Sequence, residues 1–428
     1  MKDDSSNFYK SITKLFFSLS LQPFNRFFFN IILLPVLLNE WGSDEFGIIF
    51  SIIALAGILN FLSISYFSYF SNELLLKYKN KKNSYEYFNN FSHYFFKKSL
   101  ILYIGYYFLF LTINQLNLFN SKIFISEEIK IIFLLCLINF FISNQVQSIF
   151  AGFRYIKKLY IQISYNNLIL FIFYLIIFIV SLFYQLSPIL YLLFLILVNL
   201  INYISGFFFL RIYSFKIKFF KTKKIVFKIT DVFNKIKDFI KKDFSDYLIL
   251  DFTIVLITYT QSPQIVSVYI FHRVMAKTLT LLSNLLSVTF KNEAAIFYKT
   301  KNFKKLKLLL KKIIKIYFIL SILIFVIFAF IGNEIFLIWS KDEIEFSFFL
   351  FLSIYLFTGF ENLWNISSSI DFGTNKHKKI SDLYFKLTIF SLIIFYFLIN
   401  FITLEIALLI ITLQFILLFI KSYKKLII

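Results

Sequence analysis

The chain has 428 residues, of which 59% are hydrophobic and only 16% are charged. This composition, with a mean hydropathy of +0.77, excludes an ordinary soluble enzyme and predicts an all-α integral membrane protein. A spanning helix needs about 20 mostly apolar residues, so the chain has room for roughly a dozen spans joined by short loops.

The motifs of common enzyme chemistry are absent from the sequence. The nine glycines form neither a nucleotide-binding GxxxxGK[ST] or GxGxxG loop nor a GxSxG nucleophile elbow. Cys136 is the single cysteine, which excludes an intramolecular disulfide. The three histidines, His93, His272 and His377, lack metal-ligand spacing. We therefore predict no catalytic residue, no metal site and no cofactor.

Apolar runs separated by polar clusters predict twelve spans. At 184–188, 261–265 and 400–404 only a very short turn separates two runs, so the helices on either side are expected to form hairpins. The predicted spans are 12–38, 46–71, 95–113, 129–150, 163–184, 188–210, 246–262, 265–290, 313–333, 346–370, 383–400 and 404–420.

The basic residues are distributed unevenly among the loops. Thirty-nine of the 45 Lys and Arg residues fall in alternate loops and at the termini, whereas only Lys122, Lys130 and Lys341 fall in the opposite loops. Loops rich in Lys and Arg stay in the cytoplasm, so both termini are predicted to be cytoplasmic. In a soluble chain the net charge of +22 would suggest nucleic acid. Here it is mainly a topology signal, and no nucleic-acid partner is predicted.

The longest basic stretch, 211–244, is predicted to link two lobes of six spans each. The N-terminal lobe is 1–210 and the C-terminal lobe is 245–428. Within the linker, apolar side chains recur at helical spacing opposite lysines over 232–244. This pattern predicts an amphipathic helix at the membrane surface. A charged segment held against anionic lipid headgroups explains the pattern equally well.

A shift of 220 residues aligns NELLLKYKNK at 72–81 with NEAAIFYKTK at 292–301. Both segments follow an even-numbered span and are predicted to face the cytoplasm. The two halves are therefore predicted to be parallel repeats around a central cavity, an arrangement found in two-lobed transporters. Glu73 and Glu293, one from each segment, are candidates for a cytoplasmic gate.

Three cations fall within predicted spans. An ionisable residue near the bilayer centre costs about 2.5–3.5 kcal/mol and usually faces a cavity or a partner. Arg26 lies in the middle of span 1, and Arg273 and Lys277 lie four residues apart on one face of span 8. These three residues are candidates for binding an anionic substrate. Arginine can hold a phosphate or carboxylate through two hydrogen bonds, and lysine supplies a point charge.

Acidic residues within the spans leave a second interpretation open. Asp251, Glu361 and Asp371 could neutralise the three cations and serve only helix association. Asp251 is predicted near the cytoplasmic start of span 7 and Asp371 near the cytoplasmic end of span 10, where both could reach headgroup water. Glu361 is deeper. Because a buried carboxylate can carry a proton during transport, Asp251 and Glu361 are also candidates for ion coupling.

The sequence resembles polysaccharide-export flippases of the Wzx type, whose superfamily also holds multidrug and toxin extruders and lipid II flippases. The resemblance extends through nearly the whole chain, but the glycine-rich turn common after span 2 is replaced by ISYFSYFSN at Ile64–Asn72. It rests on the segments Arg26–Gly47 (RFFFNIILLPVLLNEWGSDEFG), Gln147–Tyr160 (QSIFAGFRYIKKLY) and Val266–Asn292 (VSVYIFHRVMAKTLTLLSNLLSVTFKN), including W-G-x-x-x-F-G at Trp41–Gly47 and Y-x-x-x-R at Tyr269–Arg273.

This resemblance implies two six-helix lobes that move an undecaprenyl-diphosphate-linked oligosaccharide from the inner to the outer leaflet by alternating access. The process would serve O-antigen or capsule biosynthesis in the bacterial cytoplasmic membrane. Arg26 and Arg273 would meet the diphosphate or acidic sugars, whereas Lys277 is less typical. No ATP is implied, and a proton or sodium gradient would drive turnover. The implied partners are the lipid-linked oligosaccharide, membrane lipid and other polysaccharide-assembly proteins.

Two other functions stay open at this point. A cation-coupled small-molecule antiporter of the extruder branch would have the same architecture, although a cavity rich in Arg and Lys would repel cationic substrates. A membrane glycan polymerase or glycosyltransferase would need a large outer loop or a cytoplasmic domain. The longest outer stretch, Asn114–Lys130, is short and holds no clustered histidines or paired catalytic carboxylates.

Overall fold

The computed structural model of the chain is built from helices. It describes residues 25, 28–61, 81–115, 126–155, 159–212, 229–281, 283–284, 286, 303–373 and 378–427. Within these ranges every regular element is helical, as predicted. The α-helices are α1 (Leu34–Ala56), α2 (Lys81–Gln115), α3 (Glu127–Tyr155), α4 (Leu159–Phe183), α5 (Pro188–Ile212), α6 (Ile229–Tyr247), α7 (Thr253–Thr260), α8 (Pro263–Ala276), α9 (Phe303–Ser340), α10 (Phe348–Gly373), α11 (Lys378–Leu398) and α12 (Leu404–Ile427).

Eight helical segments in the described ranges are long and apolar enough to cross a membrane. Large apolar side chains on them stay exposed, such as Phe330 at 80% and Ile338 at 82%. Extended apolar surface of this kind is typical of protein that contacts lipid rather than water. The chain is therefore a multi-pass membrane protein. Predicted spans 7, 8 and 10 correspond to α7, α8 and α10, which are shorter or carry more polar side chains than the eight.

The three very short turns predicted from the sequence join consecutive helices. Four residues separate α4 from α5, two separate α7 from α8, and five separate α11 from α12. Pro188 begins α5 and Pro263 begins α8. Proline suits the first helical position because its φ is already fixed and its missing N–H would have had no partner there. The chain thus reverses within a few residues at each of these points.

The turn between predicted spans 1 and 2 is a single break at Gly42. Its backbone has φ 71° and ψ 165°, a region that essentially only glycine adopts. Helix α1 therefore consists of two helical segments, before and after Gly42, that correspond to these two predicted spans. A π-helical turn, Phe29–Leu33, precedes α1.

The predicted amphipathic segment is helical and continues directly into span 7. Helix α6 passes through a second π-helical turn, Leu248–Phe252, into α7, so the chain is helical from residue 229 to residue 260. On α6 the side chain of Ile236 is fully buried. The apolar face of this helix therefore packs against protein rather than lying wholly at a surface.

The chain forms two compact units. One comprises Met1–Trp41 and Ile49–Asp243, and the other comprises Gly42–Ile48 and Phe244–Ile428. The change of unit after Asp243 lies next to the predicted start of the C-terminal lobe at 245. The exception is Gly42–Ile48, which the sequence assigned to the first lobe and which packs within the second unit.

Helix order repeats between the two units. Helices α2–α5 begin at 81, 127, 159 and 188, and α9–α12 begin at 303, 348, 378 and 404, which is 216–222 residues later. The most extensive helix contact is between α3 and α5 in the first unit and between α10 and α12 in the second, which are corresponding pairs. The two π-helical turns begin 219 residues apart. These spacings agree with the internal repeat that the 220-residue shift predicted.

An aromatic cluster holds the second unit together. Trp364 on α10 is fully buried, and its ring lies 4.3 Å from that of Tyr384 on α11 and 5.8 Å from that of Phe415 on α12. The Tyr384 hydroxyl donates a hydrogen bond to Asp246 of α6 at 2.9 Å. Four helices therefore meet at one buried point.

Candidate substrate and ion site

Arg273 lies at mid-depth in the second unit. It is the eleventh residue of α8, and ten residues at 1.5 Å each place it about 15 Å from the tight turn at Pro263. The hydrocarbon core of a bilayer is about 30 Å thick, so this distance is half the length of a helical crossing. Only 6% of the residue is exposed. Such a charge requires partners, since an isolated buried cation is strongly unfavourable.

The partners of Arg273 come from the π-helical turn between α6 and α7. One terminal nitrogen, Nη1, donates to the backbone carbonyl of Leu250 at 2.5 Å. The other, Nη2, lies 4.0 Å from Oδ1 of Asp251. π-Helical turns depart from regular α-helical bonding and occur frequently at functional sites. This turn supplies both a carbonyl and a carboxylate to the same guanidinium.

Two donors next to this pair have no hydrogen-bond partner among the described residues. They are the Nε–H of Arg273 and the hydroxyl of Tyr269. Tyr269 is fully buried and lies one turn before Arg273, so the two side chains share a face of α8. An unsatisfied buried donor costs about 1–3 kcal/mol. The pair is therefore suited to an oxygen atom of an anion.

Two further predicted residues belong to the same cluster. Lys277 is exposed at the C-terminal end of α8 and interacts electrostatically with Asp251. Glu361 on α10 is half-buried and interacts electrostatically with Tyr269. The described part of the cluster thus contains two cations and two carboxylates. Its charges are balanced, and the pairing of Arg273 with Asp251 matches the alternative in which acids neutralise the membrane cations.

Other predicted residues are not part of this cluster as described. Arg26, Glu73 and Glu293 lie outside the described residues. Asp371 is buried near the end of α10. Over the ranges that the structure describes, no three His, Cys, Asp or Glu side chains are grouped as they would be around a metal ion.

His272, which adjoins Arg273, has a structural role. Its Nδ1 lies 2.7 Å from the carbonyl oxygen of Val268, and its Nε2 lies 2.9 Å from the backbone nitrogen of Ser347. A carbonyl can only accept and a backbone N–H can only donate, so Nδ1 carries the proton and Nε2 accepts. The neutral ring thereby links α8 to the start of α10.

Sequence reasoning missed the uncharged polar groups inside the spans. Gln162, Asn202 and Gln414 are at most 2% exposed, and their amide atoms have no hydrogen-bond partner among the described residues. Gly206 makes room for one of them, because a Cβ there would lie 2.9 Å from Nε2 of Gln162. The signal was present, since amides are rare within apolar runs, but only ionisable residues were weighed.

Comparison with known proteins finds similar folds among solved structures. No protein-family model matches the chain, and no curated protein matches its sequence. Solved structures do match. The inward-facing conformation of a multidrug resistance MATE family transporter of the MOP superfamily is 14% identical, with 97% of this chain and 98% of that chain covered and a TM-score of 0.60. The lipid II flippase MurJ in its inward closed conformation is 16% identical, with 98% and 90% covered and a TM-score of 0.61.

A third likeness is to a MOP superfamily transporter from Pyrococcus furiosus, for which reverse polarity of the binding pocket suggests a different function. It is 15% identical, with 97% of this chain and 94% of that chain covered and a TM-score of 0.50. At these identities the likeness concerns the fold. The chain has the all-α fold of these solved transporters. The superfamily fold implied by the sequence resemblance is therefore confirmed.

Proposed function

We propose that the chain is a flippase that moves an undecaprenyl-diphosphate-linked oligosaccharide from the inner to the outer leaflet of the bacterial cytoplasmic membrane, for O-antigen or capsule biosynthesis. The observation that carries the proposal is a pair of buried donors, Arg273 Nε–H and Tyr269 O–H, that have no hydrogen-bond partner in the part of the chain that the structure describes. They occur in a fold shared with a lipid II flippase. The Wzx-type sequence motifs give the choice of glycan substrate.

A diphosphate oxygen would accept hydrogen bonds from both donors. This contact leaves the pairing of Arg273 with Asp251 intact, because that pairing uses the Nη atoms. Arg26 would supply a bidentate contact, and Lys277 would add a point charge. The glycan would cross through the protein while the polyprenyl chain stays in lipid. Rocking of the lobes gives alternating access.

Asp251 and Glu361 are the proposed ion-coupling residues. Asp251 lies 4.0 Å from Arg273 and 42% of its side chain is exposed, and under this proposal a proton or a sodium ion would reach it from the exposed side. Protonation of Asp251 would release Arg273 from its carboxylate and strengthen its interaction with the substrate anion. Glu73 and Glu293 are proposed as gate residues on the cytoplasmic side, where other polysaccharide-assembly proteins would deliver the substrate.

One specific observation favours a second function, a small-molecule antiporter of the multidrug extruder branch. The described cluster contains as many carboxylates as cations, so it does not by itself repel a cationic drug. The fold is equally close to that of a MATE transporter. For the Pyrococcus furiosus transporter, pocket polarity suggests the function. By the same reasoning, the positive charge at Arg26 and Arg273 would decide between a flippase for an anionic substrate and an antiporter for a cationic drug.

The experiment replaces Arg26 and Arg273 separately by Ala in a host whose surface glycan depends on this chain. Surface glycan and the lipid-linked oligosaccharide retained on the inner leaflet are measured together. Lys130→Ala is the matched control, because Lys130 lies at the start of α3 and is paired with Glu127 at 2.6 Å. Quantitative blotting of each variant controls for protein amount.

A flippase loses surface glycan and accumulates inner-leaflet oligosaccharide in both arginine variants but not in the control. Normal surface glycan in both variants at normal protein levels would reject the flippase. A polymerase would instead leave single repeat units on the surface. An antiporter would leave the glycan unchanged and alter drug resistance of the host.

A further inference from the structure

An apolar groove runs between α9 and α10 on the second unit. It encloses about 280 Å³. On α9 the walls include Phe318 and Phe325, and on α10 they include Tyr355 and Phe360. Phe318 is 55% exposed, so the groove opens at the surface that contacts lipid. Its shape and chemistry suit a hydrocarbon chain.

Small residues open the groove, and its hydroxyl groups are turned to the backbone. Ser321 on α9 and Gly359 on α10 both line it. The Tyr355 hydroxyl donates to the carbonyl of Ser321, and the Tyr317 hydroxyl donates to the carbonyl of Gly359 at 3.3 Å. Both hydroxyls are thus satisfied without a ligand. The surface left for an occupant is carbon, which excludes a sugar or another polar ligand.

A row of lysines leads from the groove along the same face of α9. Residues three or four positions apart lie on the same face of a helix. Lys311 is exposed and lies seven residues, or about 10 Å of helix, before Phe318. Lys312 is also exposed but points about 100° away. The lysine row consists of Lys307 and Lys311. The positions on this face of α9, in order, are Lys307, Lys311, Ile314, Phe318, Ser321 and Phe325.

We infer that this groove and lysine row bind one anionic phospholipid of the cytoplasmic leaflet. The acyl chain occupies the groove, and the phosphate lies beside Lys307 and Lys311, at the end of α9 that the distribution of basic residues predicts to be cytoplasmic. Long lysine side chains extend towards the headgroup region while their stems stay in apolar surroundings. A zwitterionic headgroup carries its own cation, so its attraction to the row is much weaker.

The site is separate from the proposed transport site. It lies on the lipid-facing surface of α9 and α10, whereas Arg273 and Tyr269 are buried on α8. Its occupant is a lipid that stays in its leaflet and holds α9 against α10. The inference therefore does not depend on which substrate the chain transports.

The test is lipid binding to the full-length protein in detergent, measured by native mass spectrometry with phosphatidylglycerol and phosphatidylcholine of identical chains. Three variants are compared with the unaltered protein: Lys311→Ala, Lys312→Ala and Ser321→Leu. Lys311 and Lys312 are adjacent exposed lysines of one helix, so they differ mainly in the direction in which their side chains leave the helix. Ser321→Leu fills the groove and keeps the backbone carbonyl that Tyr355 uses.

We expect the unaltered protein to retain phosphatidylglycerol in preference to phosphatidylcholine. Lys311→Ala should weaken phosphatidylglycerol binding about fivefold, as expected for loss of one lysine near an anionic headgroup. Lys312→Ala should leave binding unchanged. Ser321→Leu should weaken binding of both lipids, because the leucine side chain fills the volume that the acyl chain occupies.

Three results would overturn the inference. Equal effects of Lys311→Ala and Lys312→Ala would mean general attraction to a basic helix end. Unchanged lipid binding in Ser321→Leu would mean that the acyl chain does not occupy the groove. Displacement of phosphatidylglycerol by an equal amount of polyprenyl phosphate would assign the groove to the carrier lipid instead. Thermal unfolding of each variant without added lipid verifies that it is folded.

Discussion

Arg273 and Asp251 lie at the same depth on the two arms of one hairpin. Each is ten residues from its side of the tight turn, at Pro263 and Gln261 respectively, and their side chains approach to 4.0 Å. The two partners differ in surroundings. The Arg273 side chain is 7% exposed, whereas that of Asp251 is 42% exposed. The consequences of removing one partner or the other should therefore differ.

We expect Asp251→Ala to destabilise the protein more than Arg273→Ala. The first change leaves a buried guanidinium with one lost partner, at a cost of about 1–3 kcal/mol. The second leaves a carboxylate that is already half accessible, at a cost of less than about 1 kcal/mol. Thermal unfolding of both variants in the same detergent measures the order. The reverse order would mean that Asp251, rather than Arg273, is the group that depends on the pair.

The depth of Asp251 also marks a limit of sequence reading. The hairpin itself was predictable, because Gln261 and Ser262 interrupt two apolar runs and Pro263 begins the next helix. The sequence nevertheless suggested that Asp251 lies near the cytoplasmic start of its span. That start was placed where the apolar run begins, but the chain is helical from residue 229 to residue 260. The structure places Asp251 ten residues before the turn at Gln261, in a helical stretch that begins well before the apolar run.

The partners of the Arg273 side chain could not be predicted from the sequence, for a different reason. The Y-x-x-x-R spacing showed that Tyr269 and Arg273 share a helix face, and charge rarity singled out Arg273. Neither pattern could show that the π-helical turn offers the Leu250 carbonyl to this arginine. The contact depends on how α7 and α8 pack, and a sequence pattern carries little information about such packing.

We expect Tyr269→Phe to separate stability from transport. The hydroxyl is fully buried and has no partner in the described part of the chain, so its removal should leave the protein equally stable or stabilise it by about 1 kcal/mol. Under the proposed function it should also slow substrate translocation several-fold, because a donor to the diphosphate is lost. Thermal unfolding and flipping of a lipid-linked oligosaccharide in proteoliposomes measure the two effects. A loss of stability would reveal a hydrogen-bond partner of the hydroxyl, and unchanged flipping would remove Tyr269 from the substrate site.

His272→Phe should behave in the opposite way. The backbone N–H of Ser347 would lose its acceptor, and Phe supplies none, so we expect a loss of about 1–3 kcal/mol. Flipping per folded molecule should stay close to normal, since the ring stacks 5.4 Å from Phe346 and serves packing rather than substrate contact. The same two assays check this. Normal stability with lost flipping would move His272 from a structural role to the substrate site.

Gly47 lies where the segment after the Gly42 turn meets the start of α8, and we expect it to tolerate no side chain. A Cβ at Gly47 would overlap the backbone carbonyl of Pro263, which cannot move aside as a flexible side chain can. The contact is fixed by neighbouring hydrogen bonds, from Ser267 Oγ to the Ser43 carbonyl at 2.6 Å and from Gln264 Nε2 to Asp44 at 3.1 Å. Gly47→Ala should therefore cost about 1–3 kcal/mol through overpacking.

Gly105 provides the matched control for this prediction. It lies within helix α2, and a Cβ there would meet no atom within 4 Å. Gly105→Ala should thus be neutral or gain about 0.5–1 kcal/mol, because alanine loses less backbone entropy in a helix. Thermal unfolding midpoints of the two variants, compared with the unaltered protein, should shift in opposite directions or differ clearly in size. Equal midpoints would mean that α8 can shift away from the Gly42–Ile48 segment, and that the W-G-x-x-x-F-G pattern does not depend on close packing at its second glycine.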